Sequence, residues 1–278
     1  MRRIFAGDVQ GCADELDDLV ARVRAEFGGD FELWLVGDLV NRGPASLRVL
    51  ETVRALEASG RARVVLGNHE LSLLRVATGL REVRPGDTFG DVLAVAGEWI
   101  DWLRTRPLVA AGRLGADAFA MVHAAAPPGW SLETLALRAR RVEERLAASR
   151  DEARRLLAAP PAADVDADLL ARLTRCRSIA ASGRWSSREP SSAADAWHAR
   201  WLAQSPQFGV VYGHWATQGL HVAPWLRGLD TGCVYHGAFG DRWLTAWCPA
   251  PDDAHPFRVP DERFLRVAAR ARYWTAAS

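Results

Sequence analysis

One recurrence constrains this chain more than any other: short apolar runs that stop at a side chain able to bind a metal. Arg3–Gly7 leads into Asp8, Leu33–Gly37 into Asp38, and Arg63–Leu66 into Gly67-Asn68-His69. Phe119–Val122 leads into His123, and Gly209–Gly213 into His214. Such runs, bounded by turn residues, read as buried strands. Between the early ones, Leu16, Leu19, Val20, Val23 and Phe27 recur at helical spacing over Ala13–Phe27 and stop at Gly28-Gly29. A second helix is expected from about Pro44, through Leu47, Leu50, Val53 and Leu56, to Gly60. The alternation predicts an α/β fold, a largely parallel β-sheet flanked by crossover helices. In open sheets of that kind ligands bind beyond the carboxyl ends of the strands, so these ends would converge on one rim. A lone Asp after a strand is ordinarily a turn or cap residue. A series of them, most beside a glycine that permits a tight turn, exceeds what capping requires.

Composition narrows the rest. A 278-residue chain suits one large domain better than two. The formal net charge of +1 gives no sign of a nucleic-acid or membrane binder. Cys12, Cys176, Cys233 and Cys248 form no CxxC pair, which removes zinc-knuckle and thioredoxin-like readings and leaves reduced thiols. No basic-then-apolar leader precedes the first strand, and no apolar run reaches the ~20 residues that span a bilayer. The expectation is a cytoplasmic monomer.

The stretch from about Ser131 to Gln204 is rich in Ala, Arg and Glu. A helix is expected over Ser131–Ala148, a break at Pro160-Pro161, a second helical stretch to about Arg177, and a loop over Ser182–Ala194. This reads as a helical cap or insert (131–204) on a single domain. Strands resume at Gly209–Gly213, Gly228–Asp230 and, after a hairpin around Gly237–Gly240, Trp243–Trp247.

The motifs are sharper than the rhythm. Gly7-Asp8-Val9-Gln10-Gly11, Gly37-Asp38-Leu39-Val40-Asn41-Arg42-Gly43, Gly67-Asn68-His69-Glu70, His123 and Gly213-His214 occur in one order. That order resembles the calcineurin-like metallophosphoesterases, the superfamily that includes the phosphoprotein phosphatases. The resemblance implies two divalent ions. One would be held by Asp8, Gln10 and Asp38, the other by Asp38, Asn68, His123 and His214. A bridging carboxylate such as Asp38 suits two ions roughly 3.5–4 Å apart, whose shared water becomes a hydroxide that attacks phosphorus. Arg42 would neutralise phosphoryl oxygens, and His69 would serve as the catalytic imidazole near the leaving oxygen. Gln10 stands where protein phosphatases carry a ligating His. Its harder oxygen favours manganese, with cobalt or magnesium as alternatives. Asn41 stands where they carry an Asp behind the catalytic His, which suits a phosphate leaving group (second pKa about 6) better than an alkoxide.

Further stretches look like the bacterial symmetrical diadenosine tetraphosphatases: Gly37–Pro44 with Ser46-Leu47, Leu66–Glu70, Trp99–Pro107, Met121–Ala124 with Trp130, Thr174-Arg175-Cys176-Arg177, Gly213–Ala216 and Leu229–Cys233. The implied reaction is hydrolysis of diadenosine tetraphosphate, related dinucleoside polyphosphates and capped RNA 5′ ends. A broad phosphoprotein or phosphomonoester phosphatase is the alternative. Arg175 and Arg177 would bind the polyphosphate and Asp230 would support the rim. The departures, Ala125 and His236 at usual glycine positions and an Ala-rich helix before Thr174, bear on nucleoside recognition more than on metal chemistry. Trp185 and Trp215 are candidates for adenine stacking, with burial in the core the commoner use of a Trp.

Overall fold

The computed structural model describes residues 1–238, 240, 242–258 and 263–274. Its strands are β1 (Arg2–Ala6), β2 (Phe31–Leu35), β3 (Ala62–Val64), β4 (Val109–Leu114), β5 (Asp117–Val122), β6 (Ser178–Ile179), β7 (Trp185–Ser186), β8 (Gly209–Tyr212), β9 (His221–Ala223), β10 (Leu226–Gly228), β11 (Trp243–Trp247) and β12 (Phe264–Ala268). The helices are α1 (Ala13–Phe27), α2 (Ser46–Ala58), α3 (Asn68–Ala77), α4 (Gly90–Leu93), α5 (Ala96–Arg104), α6 (Leu132–Ala148), α7 (Arg150–Ala158), α8 (Val165–Arg175) and α9 (Trp197–Leu202). Helix α1 matches its expected bounds. Phe239, at the tip of the expected hairpin before β11, lies outside the described residues.

The expected single sheet is two. One runs β12-β11-β1-β2-β3 and the other β4-β5-β8-β10-β9. In the first, β1, β2 and β3 are parallel, while β11 joins β1 antiparallel with Phe5 opposite Trp247. In the second, β5, β8 and β10 are parallel between antiparallel edges β4 and β9. The reason is readable in the side chains. Along β1, β2 and β5 alternate residues turn to opposite faces. Phe5, Trp34, Phe119 and Met121 form one buried cluster, joined by Val211, Trp247 and Phe257. Ile4, Leu33, Leu35, Ala120 and Val122 belong to the cluster that the helices cover. Phe119 meets Phe5 edge-on at 5.3 Å between ring centroids, and Trp34 also at 5.3 Å. An aromatic face of this kind stacks one sheet on another rather than extending a sheet sideways. Both faces of each strand are therefore buried, which is why the runs read as continuously apolar.

Residues 131–204 hold α6, α7, α8, the β6–β7 hairpin and α9, packed on α3, α5 and β4. Three helices stand where two stretches were expected before Arg177, because Ser149 caps a new helix by accepting from the Glu152 N–H at 3.0 Å. The expected Ser182–Ala194 loop contains β7. Among the described residues no helix is long and apolar enough to cross a membrane.

Candidate metal centre

The turns after β1 and β2 are tied together at the backbone. The N–H groups of Val9 and Gln10 both donate to the Asp38 carbonyl, at 3.2 and 2.7 Å. Seven non-glycine residues among those described have positive φ, and five belong to the predicted site: Gln10 (48°), Asp38 (50°), Asn41 (78°), Arg42 (68°) and His214 (69°). Left-handed backbone at non-glycine residues costs of order 1–3 kcal/mol each and clusters where function requires it. Two glycines permit the close approaches. A Cβ on Gly67 would collide with the Asp38 carboxylate, and one on Gly213 with that of Asp8.

Asp8, Gln10, Asp38, His69, His123 and Asp230 are buried around this rim. One ligand atom each from Asp38, His123 and His214 lies within 4.8 Å of the others. His123 Nδ1 faces the Val36 carbonyl at 2.8 Å, so that nitrogen carries the proton. Its Nε2 then points at two oxygens, Asn68 Oδ1 at 3.2 Å and Asp38 Oδ1 at 3.4 Å. A bare lone pair facing oxygens is repulsive unless a proton or a cation stands between them. His214 Nε2 donates to the Arg175 carbonyl at 3.2 Å, and its backbone N–H reaches both Asp8 oxygens at 3.2 Å. The Gln10 amide lies 3.5 Å from Asp38 Oδ2.

The electrostatics have the same cause. Burial, then Asp230 and Asp38, hold the Asp8 carboxyl well above the usual range. Burial also pushes Asp230 up to about 6. Burial opposes charge on Asp38 as well, but His123 and His69 outweigh it and lower its pKa. Burial and His123 keep His214 neutral, as a ligating imidazole must be. Three crowded carboxylates, a neutral histidine and an oxygen-flanked imidazole nitrogen form a donor set suited to divalent cations.

Glu70 belongs to the site although its sequence position alone assigned it no role. Its Oε2 accepts from the N–H groups of Gly67 (2.8 Å) and Asp38 (2.9 Å), and its Oε1 from Leu39 (2.7 Å) and Val40 (3.2 Å). It clamps the turn that presents Asp38 to the start of α3. The signal was a capping pattern, Gly67-x-x-Glu70, at the head of that helix.

The other predicted residues separate. Asn41 does not back His69. Its Nδ2 donates to Asp87 at 3.1 Å, and its Oδ1 accepts from the N–H groups of Arg42 and Thr88, both at 2.9 Å. His69 Nδ1 is buried with no partner among the described residues, and its Nε2 lies 3.7 Å from Asp38. Arg177 braces the rim by donating to the carbonyls of Ser187 (2.9 Å) and His214 (3.2 Å). Arg175 is different. Burial lowers its pKa despite the attraction of Asp38, and Arg81 and Arg84 repel it. Its neighbour Arg75, unforeseen in the sequence, is lowered to about 10 by burial and by Arg175, and its Nη1 is buried without a partner among the described residues. Trp185 and Trp215 direct their indole N–H groups to Asp168 (2.7 Å) and Glu189 (2.8 Å).

Residues 1–154 match the calcineurin-like phosphoesterase family. The chain belongs to it. Two relatives of this phosphoesterase are named symmetrical bis(5′-nucleosyl)-tetraphosphatase. One, from Janthinobacterium sp. (strain Marseille), is 39% identical over 86% of this chain and 91% of its own length. The other, from Methylococcus capsulatus, is 40% identical over 83% and 87%. A crystal structure provisionally named a diadenosine tetraphosphatase shares the fold, with a TM-score of 0.63 and 23% identity over 96% of this chain and 93% of that one.

Proposed function

We propose that this phosphoesterase cleaves diadenosine tetraphosphate symmetrically into two ADP. The observation that carries the reading is the cluster of Asp38, His123 and His214 at a rim crowded with buried carboxylates. The names of relatives that align over most of the chain direct it to a dinucleotide rather than to a phosphoprotein. The same cut extends to dinucleoside polyphosphate caps on RNA 5′ ends, since the bond is the same anhydride.

We assign two divalent ions to Asp8, Gln10, Asp38, Asn68, His123 and His214, with manganese favoured by the oxygen-rich set around Gln10. Bound there, they would supply Lewis acidity and a water of lowered pKa. The chain's own residues do the rest. Arg42, Arg175 and Arg177 orient the phosphates, Arg177 from the wall of the cleft that Asp38 and His214 also line, and Arg75 adds positive charge behind them. Arg177 and Asp230 hold the His214 side of the rim. His69 stands by the leaving oxygen. Burial favours its neutral form, and no carboxylate meets its Nδ1 among the described residues. A weakly supported imidazole suffices for a diphosphate that leaves with little protonation. Residues 131–204 act as a helical insert on one domain, and four buried, unlinked cysteines suit a reducing compartment such as the cytoplasm.

Hydrolysis in ¹⁸O-labelled water tests this. Label is expected in ADP alone, and p-nitrophenyl phosphate should turn over far more slowly. Early products of AMP plus ATP would refute symmetrical cleavage.

A further inference from the structure

Residues of the metal centre open on a cleft of about 260 Å³. Asp38, Asn68, His69 and His214 line it together with Tyr235 and Trp274. The two rings meet edge-to-face, with centroids 5.1 Å apart and planes at 85°. Trp274 is anchored by its backbone N–H, which donates to the Val234 carbonyl at 3.2 Å. That bond ties Trp274 itself to the cleft's Tyr235 side.

Arg42 connects the two features. Its guanidinium stands 5.4 Å from the centre of the Trp274 ring, and its Nη1 donates to the Gly86 carbonyl at 3.3 Å. Trp274 also differs from the tryptophans of the core. Trp34, Trp197, Trp201 and Trp247 are fully buried, whereas Trp274 is partly exposed. Its indole N–H meets no acceptor among the described residues, unlike those of Trp185 and Trp215.

We propose that Trp274, edged by Tyr235, is the stacking surface for one nucleobase of the substrate. The base lies on the indole, and the phosphates attached to its ribose run past Arg42 to the metal centre. This rests on the dinucleotide reading for its ligand. The physical basis is separate: a partly exposed aromatic face beside a cation in a cleft offers dispersion to any π-system, while the phosphate tail reaches the positive charge.

Calorimetric titration of the manganese-loaded full chain with ADP and with pyrophosphate tests the slot without turnover. Stacking on an aromatic contributes about 1–3 kcal/mol per base, a factor of about 5–150 in affinity. Trp274→Ala should therefore cut the preference for ADP over pyrophosphate by about 5- to 150-fold. Trp274→Phe, which keeps an aromatic face, should restore most of it. An unchanged preference in Trp274→Ala would overturn the proposal, as would equal loss of both ligands, which would mark a structural role. If ADP binding depends on Trp274 but the dinucleotide is not cleaved, the slot stands and the hydrolase reading falls. If the dinucleotide is cleaved and the preference ignores Trp274, the reverse holds.

Discussion

Replacing Glu70 with Gln should loosen the turn that carries Asp38, and the effect should depend on metal. Each Glu70 oxygen accepts two backbone N–H groups. A Gln keeps one oxygen and turns an NH₂ toward the other pair, which leaves two buried donors facing a donor. Each orphaned N–H costs about 1–3 kcal/mol, so the loss is about 2–6 kcal/mol. Removing the charge works the other way. Burial and the repulsion of Asp38 raise the Glu70 pKa from 4.5 to about 7. That shift corresponds to roughly 3 kcal/mol at neutral pH. In chelator the two effects nearly offset. With cations bound, the repulsion is already compensated and the orphaned donors dominate. At about 2–4 °C per kcal/mol for a large domain, the metal-loaded variant should melt roughly 4–24 °C below wild type. Thermal melts followed by circular dichroism, with and without chelator, measure both. A deficit under about 1 kcal/mol with metal, or a larger deficit in chelator, would refute the reasoning.

Asp38→Asn should abolish turnover and weaken at least one ion, and metal-repleted activity near wild type would remove the bridging assignment. Gln10→His should shift relative activity toward zinc or cobalt, while an unchanged metal profile would mean that Gln10 is not a ligand. Arg175→Gln should lower kcat/KM for the dinucleotide by about 10- to 150-fold, corresponding to about 1.5–3 kcal/mol for a charge-assisted contact. Arg75→Gln, which acts behind that contact, should lower it less, and both should matter less for p-nitrophenyl phosphate. Equal effects on both substrates would place these residues outside the polyphosphate path. Folded-state pKa values of about 6 for Asp230 and about 7 for Glu70 exceed the unperturbed 3.8 and 4.5, so the metal-free fold holds protons that the unfolded chain has shed. These two carboxyls should therefore withdraw stability from the metal-free fold as pH rises from about 4 to 7, against the opposite contribution of His69 and His214, which burial keeps neutral. In chelator Asp230→Asn should raise Tm more at pH 7 than at pH 4 relative to wild type, and a difference that is flat or shrinks with pH would contradict this.

The parts of the site that depend on a few consecutive residues were legible in the sequence. Asp8, Asp38, Asn68, His123 and His214 each follow a strand-like run, and a strand's end can be read locally. What escaped depends on pairing between distant segments. β1 meets β11 across more than two hundred residues, with Phe5 opposite Trp247, and no local period announces it. Phe119–Val122 reads as one more strand of the first sheet until the face that Phe119 presents to Phe5 and Trp34 is known. Glu70 stood within a recognised motif, yet three of its four partners lie about thirty residues upstream. Arg75 is an ordinary helical arginine until α8 brings Arg175 against it. Asn41 was expected behind His69, but its carboxamide is taken up by Asp87, Arg42 and Thr88.

The antiparallel join of β1 to β11 has a consequence for synthesis. Domains fold as units while the chain emerges. Asp8 leaves the ribosome more than two hundred residues before Thr245, yet the Gly7 N–H waits for the Thr245 carbonyl, at 2.9 Å in the finished fold. His214, which donates to Asp8, also comes late. A nascent chain thus carries its first carboxylates long before the wall that positions them exists. Ion loading should be among the last events of maturation, and a ribosome stalled before β11 should hold a chain that takes up little metal.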